Sequence, residues 1–415
     1  MYYVGIDWAD RKYDLVILDD QGKKVCQPFV IRKSEQGFND LLVKLRRLSS
    51  NSLDFKIGIE TPHNLLVDSL LVWNYPVFSI HPSSMKSFRK RYRTTNARDD
   101  VYDSFVLADV ARTDTACWRK IDRGSELTYQ IQLLVFDHHR LIQKQTALHN
   151  AFKETLKQYY PEYLDFFKDI SCPVSLAFFQ TFPNFKLAAE LTYPKLINFF
   201  NEHRLHGEKI IQNIYDVLHQ KSTPVTESIV EVKSLKALFY AQQLQQVNMS
   251  CQLYEQRIQN NITNHPDYLI FLSFPGIGDI SSARMIALFG DNRNLYKNAS
   301  TIQSIAGTCP VTEKTGYDSY NKKGYKIVYF REACNKVYRN FVYNIAFSSL
   351  TKAGWVRAYY DHQRAKGHTH PHSMRCLANL ELKILFSMWK NKILYDENIY
   401  LAQKSRQQMK NKTFF

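Results

Sequence analysis

The chain has 415 residues, and its 45% hydrophobic content excludes a disordered polymer and suffices for two or three domains with their own cores. A formal net charge of +16 favours a polyanionic partner, nucleic acid before a membrane, although a basic protein without such a partner is the simpler alternative. No apolar run approaches the roughly 20 residues of a membrane span, and seven scattered cysteines without a C-x-x-C pair argue against structural zinc.

The first 125 residues predict one domain in which strands and helices alternate. Its strands are predicted over residues 2–7, 13–18, 24–31, 55–60 and 76–80. Helices are predicted over residues 34–48, after Pro62 and from Asp99 onward. The first three strands form an antiparallel meander, and the order β-β-β-α-β-α-β-α is that of a ribonuclease H-like mixed sheet.

Four carboxylates fall at positions that this domain would bring together. Asp7 and Glu60 end the first and fourth strands, while Asp100 and Asp103 lie three apart on one face of the last helix. Four carboxylates around one point suit two Mg²⁺ or Mn²⁺ ions, which prefer oxygen ligands and can bind a scissile phosphate. Each acid taken alone is more simply a solvated turn or cap residue. Asp99 is the alternative to Asp100 as a ligand, and Asp100 is preferred because only Asp100 shares a helix face with Asp103.

Residues 126–265 predict a long antiparallel helical arm. Two apolar series with heptad spacing each predict a coiled-coil helix on the order of 40 Å long at 1.5 Å per residue. His138 and Gln145 stand at seam positions, where polar residues specify register or partner. Residues 166–232, between the two helices, predict a small and mostly helical insertion of open role. An arm of this kind favours a dimer or a larger assembly.

Residues 266–415 predict a mostly helical C-terminal domain. The sequence P-G-I-G at 275–278 stands between two short helical patterns, as in a helix-hairpin-helix motif. There Gly276 and Gly278 would allow a tight turn whose N–H groups meet a phosphate. A purely structural helix pair is the alternative.

Cations that could contact a phosphate backbone occur in two stretches of the sequence. The first precedes Asp100, and the second surrounds the polar loop T-G-Y-D-S-Y-N-K-K-G at 315–324. Arg331, Lys336 and Arg339 follow this loop at spacings that predict one face of a helix. Hydroxyls beside such cations are typical of a phosphoryl-transfer site, and the residues alone leave the nucleophile open. The candidate contacts are Arg89, Lys90, Arg91, Arg93, Gly276, Gly278, Lys314, Lys322, Lys323, Arg331, Lys336 and Arg339.

Seven motifs in this order resemble one family over most of the chain. They are GIDWAD at 5–10, GIE at 58–60, R-D-D-x-x-D-S-x-x-L-A at 98–108, PGIG at 275–278, AGTCPVTEKTG at 306–316, REACNK at 331–336 and WVRAYYDHQRAKG at 355–367. The family is that of the insertion-sequence transposases with an N-terminal DEDD, RuvC-like domain (insertion sequence family 110, subgroup 1111). It includes the pilin-gene invertase Piv and the bridge-RNA-guided recombinases.

This resemblance implies a DNA recombinase that excises and inserts its own element. The family's acidic tetrad carries over to Asp7, Glu60, Asp100 and Asp103 as ligands of Mg²⁺ or Mn²⁺. The protein would act on element ends and target DNA as a homodimer or tetramer, with the RuvC-like domain of one subunit facing the C-terminal domain of another. A structured guide RNA would pair with the DNA. The expected location is the bacterial cytoplasm, at the nucleoid.

Two positions depart from the family's pattern. The family has a serine nucleophile before a glycine in the C-terminal domain, and here Thr315 precedes Gly316. The departure allows a threonine nucleophile, a shift to Ser319 or an impaired copy. We favour Thr315, which can form the same phosphoester. Ser104 replaces the family's usual alanine, with little expected consequence for metal binding.

Two other functions remain open from the sequence. A RuvC-like nuclease or junction resolvase would use the same carboxylates with water as the nucleophile and would never become linked to DNA. An inactive remnant of an element would bind nucleic acid without metal dependence.

Overall fold

The computed structural model describes residues 1–60, 64–92, 99–115, 118–220, 223–314, 326–399 and 402. Contacts divide the chain into two compact units, Met1–Gly124 and Ser125–Phe415. The segments predicted as the arm and as the C-terminal domain both belong to the second unit, and their separation into two domains stays a prediction.

The first unit is a six-stranded mixed sheet with helices, which confirms the predicted α/β class for this part of the chain. Its elements are β1 Tyr2–Trp8, β2 Lys12–Leu18, β3 Phe29–Arg32, α1 Glu35–Leu48, β4 Phe55–Ile59, α2 Leu65–Val72, β5 Val77–Ser79, α3 Pro82–Tyr92, α4 Asp100–Thr113 and β6 Arg119–Lys120. A short 3₁₀ helix, Ser52–Asp54, precedes β4. The strand order is β3-β2-β1-β4-β5-β6, in which β1, β4 and β5 are parallel and the other neighbours antiparallel.

One local prediction for this unit needs correction, and one helix was missed. Strand β3 was predicted from residue 24, but its ladder with β2 begins at Phe29, opposite Leu15. Pro28, just before it, has no N–H to donate, and Lys24 makes only an isolated bridge with Leu18. The basic run, for which the sequence predicts no element, forms α3. The sequence of α3 is mostly polar and so lacks a clear apolar periodicity, but the helix packs on the neighbouring hydrophobic core through Met85.

Helix α4 lies directly on the backbone of β1 and β4, and two glycines make this approach possible. A Cβ on Gly5 would stand 1.9 Å from the carbonyl oxygen of Ser104, and one on Gly58 would stand 2.6 Å from that of Leu107. The Ser104 hydroxyl oxygen lies 2.8 Å from the carbonyl oxygen of Asp14, to which it can donate, and so links α4 to β2. These contacts fix where the first turn of α4 lies over the sheet.

The second unit is mostly helical, which confirms the predicted class for this region. Its elements are α5 Glu126–Leu156, α6 Pro173–Thr181, α7 Phe185–Ala189, α8 Tyr193–Glu202, α9 Glu208–Leu218, α10 Glu227–Ile262, α11 Tyr268–Leu272, α12 Asp279–Phe289, α13 Ala299–Ile305, β7 Val311–Lys314, β8 Lys326–Tyr329, α14 Lys336–Ser349, α15 Gly354–Ala365 and α16 His370–Asn391. A 3₁₀ helix covers Pro161–Asp165. No helix in the part of the chain that the structure describes has the length and apolarity needed to cross a bilayer.

Helices α5 and α10 pack antiparallel along a seam that contains polar pairs. His138 Nε2 lies 3.2 Å from Glu255 Oε1, and Gln145 Nε2 donates to Asn248 Oδ1 at 2.7 Å. These two pairs show that the helices run in opposite directions. The insertion between them, α6 to α9, has an aromatic core that includes the fully buried Tyr163.

The close approach at Gly5 leads to a first prediction. Gly5→Ala should lower the free energy of unfolding of the first unit by at least about 3 kcal/mol, because the new methyl meets backbone atoms that cannot move aside. Gly354→Ala is the matched control, since its Cβ would meet no atom within 4 Å. Hydrogen exchange at the amides of β1 and β4 during denaturant unfolding reports on this unit. Unchanged protection in Gly5→Ala would contradict the packing described.

Candidate active site

Three elements of the first unit bring the predicted carboxylates to one edge of the sheet. Asp7 is the penultimate residue of β1, and Glu60 directly follows β4, which runs parallel to β1. Asp100 and Asp103 occupy the first turn of α4, where the helix dipole favours negative charge. Asp99 caps the same helix, and its carboxylate accepts the Val101 N–H at 3.1 Å.

The electrostatics of Asp7 show that the four acids are neighbours. Burial raises the pKa of Asp7 to about 7, and the negative charges of Asp103, Asp100 and Glu60 raise it further toward that value. Near neutral pH, Asp7 is therefore divided between its protonated and charged forms. The cluster carries more negative charge than its surroundings compensate.

Arg89 of α3 forms an ion pair with two of these carboxylates. Its Nε donates to Asp103 Oδ1 at 2.6 Å and its Nη2 donates to Asp103 Oδ2 at 2.8 Å, while Glu60 Oε2 lies 3.8 Å from Nη2. The Asp103 side chain is only 10% exposed, so the bidentate contact compensates a charge that water reaches poorly. Arg89 therefore has a structural role as the partner of Asp103, while its predicted contact with nucleic acid stays a prediction.

Lys12 and Asp14 of β2 complete the cluster, and the sequence analysis missed both. Lys12 Nζ lies 2.9 Å from Asp14 Oδ2 and 3.2 Å from Asp100 Oδ2. Asp14 is opposite Asp7 in the sheet register and is 3% exposed. A charged residue inside the apolar strand YDLVIL was the available signal, because a buried carboxylate requires a partner.

The donor set suits a hard divalent cation, although the side chains are not arranged around one point. Among the described residues, no three histidine, cysteine, aspartate or glutamate side chains converge closely enough to share an ion. Arg89 and Lys12 instead contact Asp103, Glu60 and Asp100. Carboxylate oxygens are the ligands that Mg²⁺ and Mn²⁺ prefer, and the uncompensated charge around Asp7 favours a cation there.

The second unit holds the predicted nucleophile loop between two strands. β7 and β8 pair antiparallel up to Lys314 and Lys326, and residues 315–325 connect them. The described residues therefore end just before the favoured nucleophile. The predicted site residues that lie outside them are Arg93, Thr315, Ser319, Lys322 and Lys323, together with the side chain of Lys314.

Cations near β8 form a cluster around Phe330. The guanidinium carbons of Arg339 and Arg375 lie 4.0 and 4.2 Å from the centre of its ring. Arg339 Nη2 also donates to the carbonyl oxygen of Arg331 at 2.6 Å. The ion pairs of the described residues give neither Arg339 nor Arg375 a carboxylate partner. The sequence analysis missed Arg375, which lies 36 residues beyond Arg339 on α16.

One prediction for this cluster was wrong. Arg331 does not share a helix with Lys336 and Arg339, because Asn335 caps α14 and starts it at Lys336. Two of the motifs that carry the family resemblance nevertheless meet here. Gly307 of AGTCPVTEKTG has φ +68°, and a Cβ on it would stand 2.6 Å from Cys334 Sγ of REACNK.

The P-G-I-G turn joins α11 to α12 and packs against the protein's own backbone. Gly276 has φ +85°, and a Cβ on it would stand 2.7 Å from the backbone nitrogen of Ser349. Gly278 is exposed and precedes Asp279, whose carboxylate accepts the Tyr268 hydroxyl at 2.7 Å. These contacts give Gly276 a structural role and place an acid beside the exposed turn. The contact of Gly278 with nucleic acid stays a prediction.

Comparison with known proteins identifies the family. Residues 4–161 match the DEDD transposase model of IS110, described as Transposase, and residues 268–361 match the model described as Transposase IS116/IS110/IS902 family. Together these matches cover more than half of the chain and include the four carboxylates and the segment from β7 to Arg339. The chain belongs to the IS110 family of transposases.

Relatives of this IS110-family transposase align along most of its length. It is 27% identical over 405 residues to a Streptomyces coelicolor protein named as a mini-circle transposase for IS117, covering 95% of each chain. It is 23% identical over 403 residues to a 44.8 kDa protein of insertion element IS116 from Streptomyces clavuligerus, covering 95% of this chain and 96% of that protein. A 43.6 kDa protein of IS110 from Streptomyces coelicolor is 24% identical over 319 residues, 73% of each chain.

The Arg89 ion pair of this IS110-family transposase predicts a large effect on stability. Arg89→Ala should lower the free energy of unfolding of the first unit by about 2–3 kcal/mol, because it leaves the Asp103 carboxylate without its charged donor. Arg91→Ala is the control: its 3.6 Å pair with Asp114 involves a half-exposed side chain, so the cost should be below about 1 kcal/mol. Equal losses in the two variants, measured by denaturant unfolding without divalent ions, would contradict this assignment.

The raised pKa of Asp7 predicts a pH dependence in the same transposase. Because the pKa of Asp7 in the folded protein, about 7, exceeds the usual aspartate value of 3.8, the contribution of protonated Asp7 to stability is fully present below pH 3.8 and is lost as pH rises through 7. Asp7→Asn removes this loss, so its unfolding temperature should exceed that of the unsubstituted protein increasingly from pH 4 to pH 7. Asp10→Asn, at an exposed position, should behave like the unsubstituted protein. The measurement is thermal unfolding in chelator, and parallel pH curves for Asp7→Asn would count against the cluster.

Proposed function

We propose that this transposase is a recombinase that cuts and rejoins the DNA of its insertion sequence through a covalent protein–DNA intermediate. The observation that carries the proposal is that Glu60, Asp100 and Asp103 lie near Asp7 at one edge of the sheet, where burial and then their negative charges raise the pKa of Asp7 to about 7. The mixed sheet, with acids at the ends of parallel β1 and β4 and on α4, supports the RuvC-like assignment of the first unit. Membership in a transposase family supports DNA as the substrate.

The four carboxylates would hold Mg²⁺ or Mn²⁺. Such an ion, when bound, supplies a positive charge that binds a phosphate and lowers the barrier to its attack. The chain's own residues prepare the site, because Arg89 and Lys12 form ion pairs with three of the acids and thereby orient them. Arg89 would also contact a DNA phosphate, as its place in the basic run suggests.

Thr315 would be the nucleophile, with Ser319 as the fallback. The Thr315 oxygen forms a bond to phosphorus as a P–O bond of the DNA backbone breaks, and its proton ends on the departing DNA hydroxyl. Lys314 leads directly into this residue from β7. The arginines around Phe330 support phosphate binding in the same unit, because Arg339 and Arg375 have no carboxylate partner among the described residues.

A structured guide RNA and a homodimeric or tetrameric assembly complete the proposal. Both come from the family that the motifs resemble. The net charge of +16 supports binding to a large polyanion, and the remaining cations Lys90, Arg91, Lys322, Lys323 and Lys336 would contribute backbone contacts.

Trapping of the covalent intermediate tests this function. The protein is incubated with labelled DNA of its element ends and Mg²⁺, then denatured, and the adduct is measured on a denaturing gel. Asp7→Asn should lower the adduct yield by about 10³-fold or more, because a bound divalent ion supplies several kcal/mol of stabilisation. Thr315→Ala should abolish the adduct, and Ser319→Ala should retain it. Asp99→Asn is the matched control, since asparagine caps a helix as well as aspartate.

Each alternative function gives a different pattern in this experiment. A resolvase that uses water would cleave DNA normally in Thr315→Ala and give no adduct with any variant. A binding remnant would retain DNA whether or not Mg²⁺ is present and would be insensitive to Asp7→Asn. An adduct lost in Ser319→Ala but kept in Thr315→Ala would identify Ser319, and not Thr315, as the nucleophile.

A further inference from the structure

An open groove lies in the second unit beside the end of α16. It has a volume of about 920 Å³ and is lined by α15, by α16, by residues at the start of α13 and by residues 393–399, which follow α16. Ile393, Leu394 and Ile399 border it and are 41%, 58% and 46% exposed. Aliphatic side chains grouped at such exposure form an apolar patch of the kind that marks a binding surface. We call this cavity the α16 groove and these three residues its apolar patch.

The floor of the α16 groove is one face of α16. The lining residues recur along the helix at intervals of three and four, so they share one side of it. They extend over about 16 Å at 1.5 Å per residue, which is roughly three helical turns. The helix is held in place from its other side, where Trp389 is fully buried. The lining residues of this face are Leu380, Lys383, Ile384, Ser387 and Asn391.

Tyr395 holds the wall of the α16 groove against the core. Trp355 Nε1 donates to the Tyr395 hydroxyl at 2.6 Å, and the backbone N–H of Tyr395 donates to Ser273 Oγ at 2.9 Å. The Tyr395 ring also packs edge-on against Phe274, with ring centroids 5.3 Å or less apart, at 5.2 Å. The segment that carries the apolar patch is therefore fixed, and a ligand would meet a preformed surface.

The rim of the α16 groove carries positive charge that the fold does not use. Lys297, Lys366 and Lys383 line it and are exposed. Among the residues that the structure describes, no carboxylate forms an ion pair with any of these three ammonium groups. A fourth lysine, Lys390, donates to backbone carbonyl oxygens, and the lining has one acid, Asp396. The groove thus combines an apolar floor with a cationic rim.

We propose that the α16 groove binds an acidic amphipathic helix of a partner protein. Such a helix would place its apolar side chains on the floor and on the apolar patch, and its carboxylates beside Lys297, Lys366 and Lys383. Recognition of a helix in a groove uses anchors at i, i+3, i+4 and i+7, which is also the spacing of the α16 face. This inference goes beyond the proposed function, because it requires no DNA, RNA or metal.

Single-stranded nucleic acid suits the α16 groove less well than a protein helix. Proteins bind single strands by stacking bases on exposed aromatic rings, whereas the apolar patch is aliphatic. The ring of Tyr395 is already packed against Phe274. The carboxylate of Asp396 would also repel a phosphate. The unpaired lysines suit either ligand, so the aliphatic surface decides between them.

The chain's own last residues do not have the complementary charge. Residues 400–415 follow the last residue that lines the groove, and they lie outside the described residues. Their sequence contains Lys404, Arg406, Lys410 and Lys412 and no carboxylate. A basic segment does not complement a rim of lysines. We therefore assign the groove to another protein.

Binding of a synthetic helix to the full-length protein tests this inference. The probe is a fluorescein-labelled peptide with leucine at i, i+3, i+4 and i+7 and glutamate elsewhere, and fluorescence anisotropy measures its dissociation constant. A peptide of the same composition in scrambled order should bind at least tenfold more weakly, because its leucines share no face. Ile393→Ser and Leu394→Ser in one chain should also weaken binding at least tenfold, because less apolar surface is buried. Leu133→Ser with Leu269→Ser, at exposed positions outside the groove, is the matched control.

A charge reversal tests the rim separately. Lys383→Glu should raise the dissociation constant of the acidic helix about fivefold or more, because it replaces an attraction by a repulsion. Lys352→Glu is the matched control, since Lys352 is exposed, lies outside the groove and gives the protein the same net charge. Its dissociation constant should stay within twofold of that of the unsubstituted protein. Circular dichroism establishes that each variant is folded.

A labelled single-stranded RNA of arbitrary sequence separates the two kinds of ligand. Its affinity should stay within twofold in the chain with Ile393→Ser and Leu394→Ser, while the affinity of the acidic helix falls. An equal fall for both would assign the groove to nucleic acid and overturn the proposal. Absence of binding to the unsubstituted protein would overturn it too, and this is the result expected if residues 400–415 or a second copy fill the groove. Equal binding of the ordered and scrambled peptides would likewise contradict it.

Discussion

The contact between α4 and the backbone of β1 and β4 determines the geometry of the carboxylate site. Each of these strands has a glycine two residues before its acid, Gly5 before Asp7 and Gly58 before Glu60. Without side chains at these positions, the helix approaches until its carbonyl groups meet the strands. Its first turn, with Asp100 and Asp103, is thereby held above the two strand ends. A larger residue in either strand would move the helix and separate the acids.

Placing four acids together creates an electrostatic cost that the surrounding cations only partly offset. Arg89 compensates Asp103 and approaches Glu60, while Lys12 lies between Asp14 and Asp100. Burial, and after it the negative charges of Asp103, Asp100 and Glu60, raise the pKa of Asp7. A site held in this way has its carboxylates positioned by ion pairs within the protein itself. Preorganisation of this kind is common where charge must be stabilised at a fixed point.

The sequence predicted those parts of the fold and site that depend on residue order within one element. Strand ends located Asp7 and Glu60, and helical spacing selected Asp100 with Asp103 over Asp99, which the structure shows to be a cap. Contacts between different elements could not be predicted from the sequence in the same way. The partnership of Arg89 with Asp103 needs α3 to pack on α4, and Arg375 meets Phe330 only after α16 folds beside β8. Single residues such as Pro28 and Asn335 also moved element boundaries, because one missing donor or one cap outweighs a spacing pattern.

The insertion and all of α10 lie between the two family matches, which end at residue 161 and resume at residue 268. The elements that carry the four acids, β1, β4 and α4, belong to the first unit, whereas the helices between the matches belong to the second. A change in the length or sequence of those helices would therefore leave the carboxylates in place, whereas a single methyl group added at Gly5 would displace them.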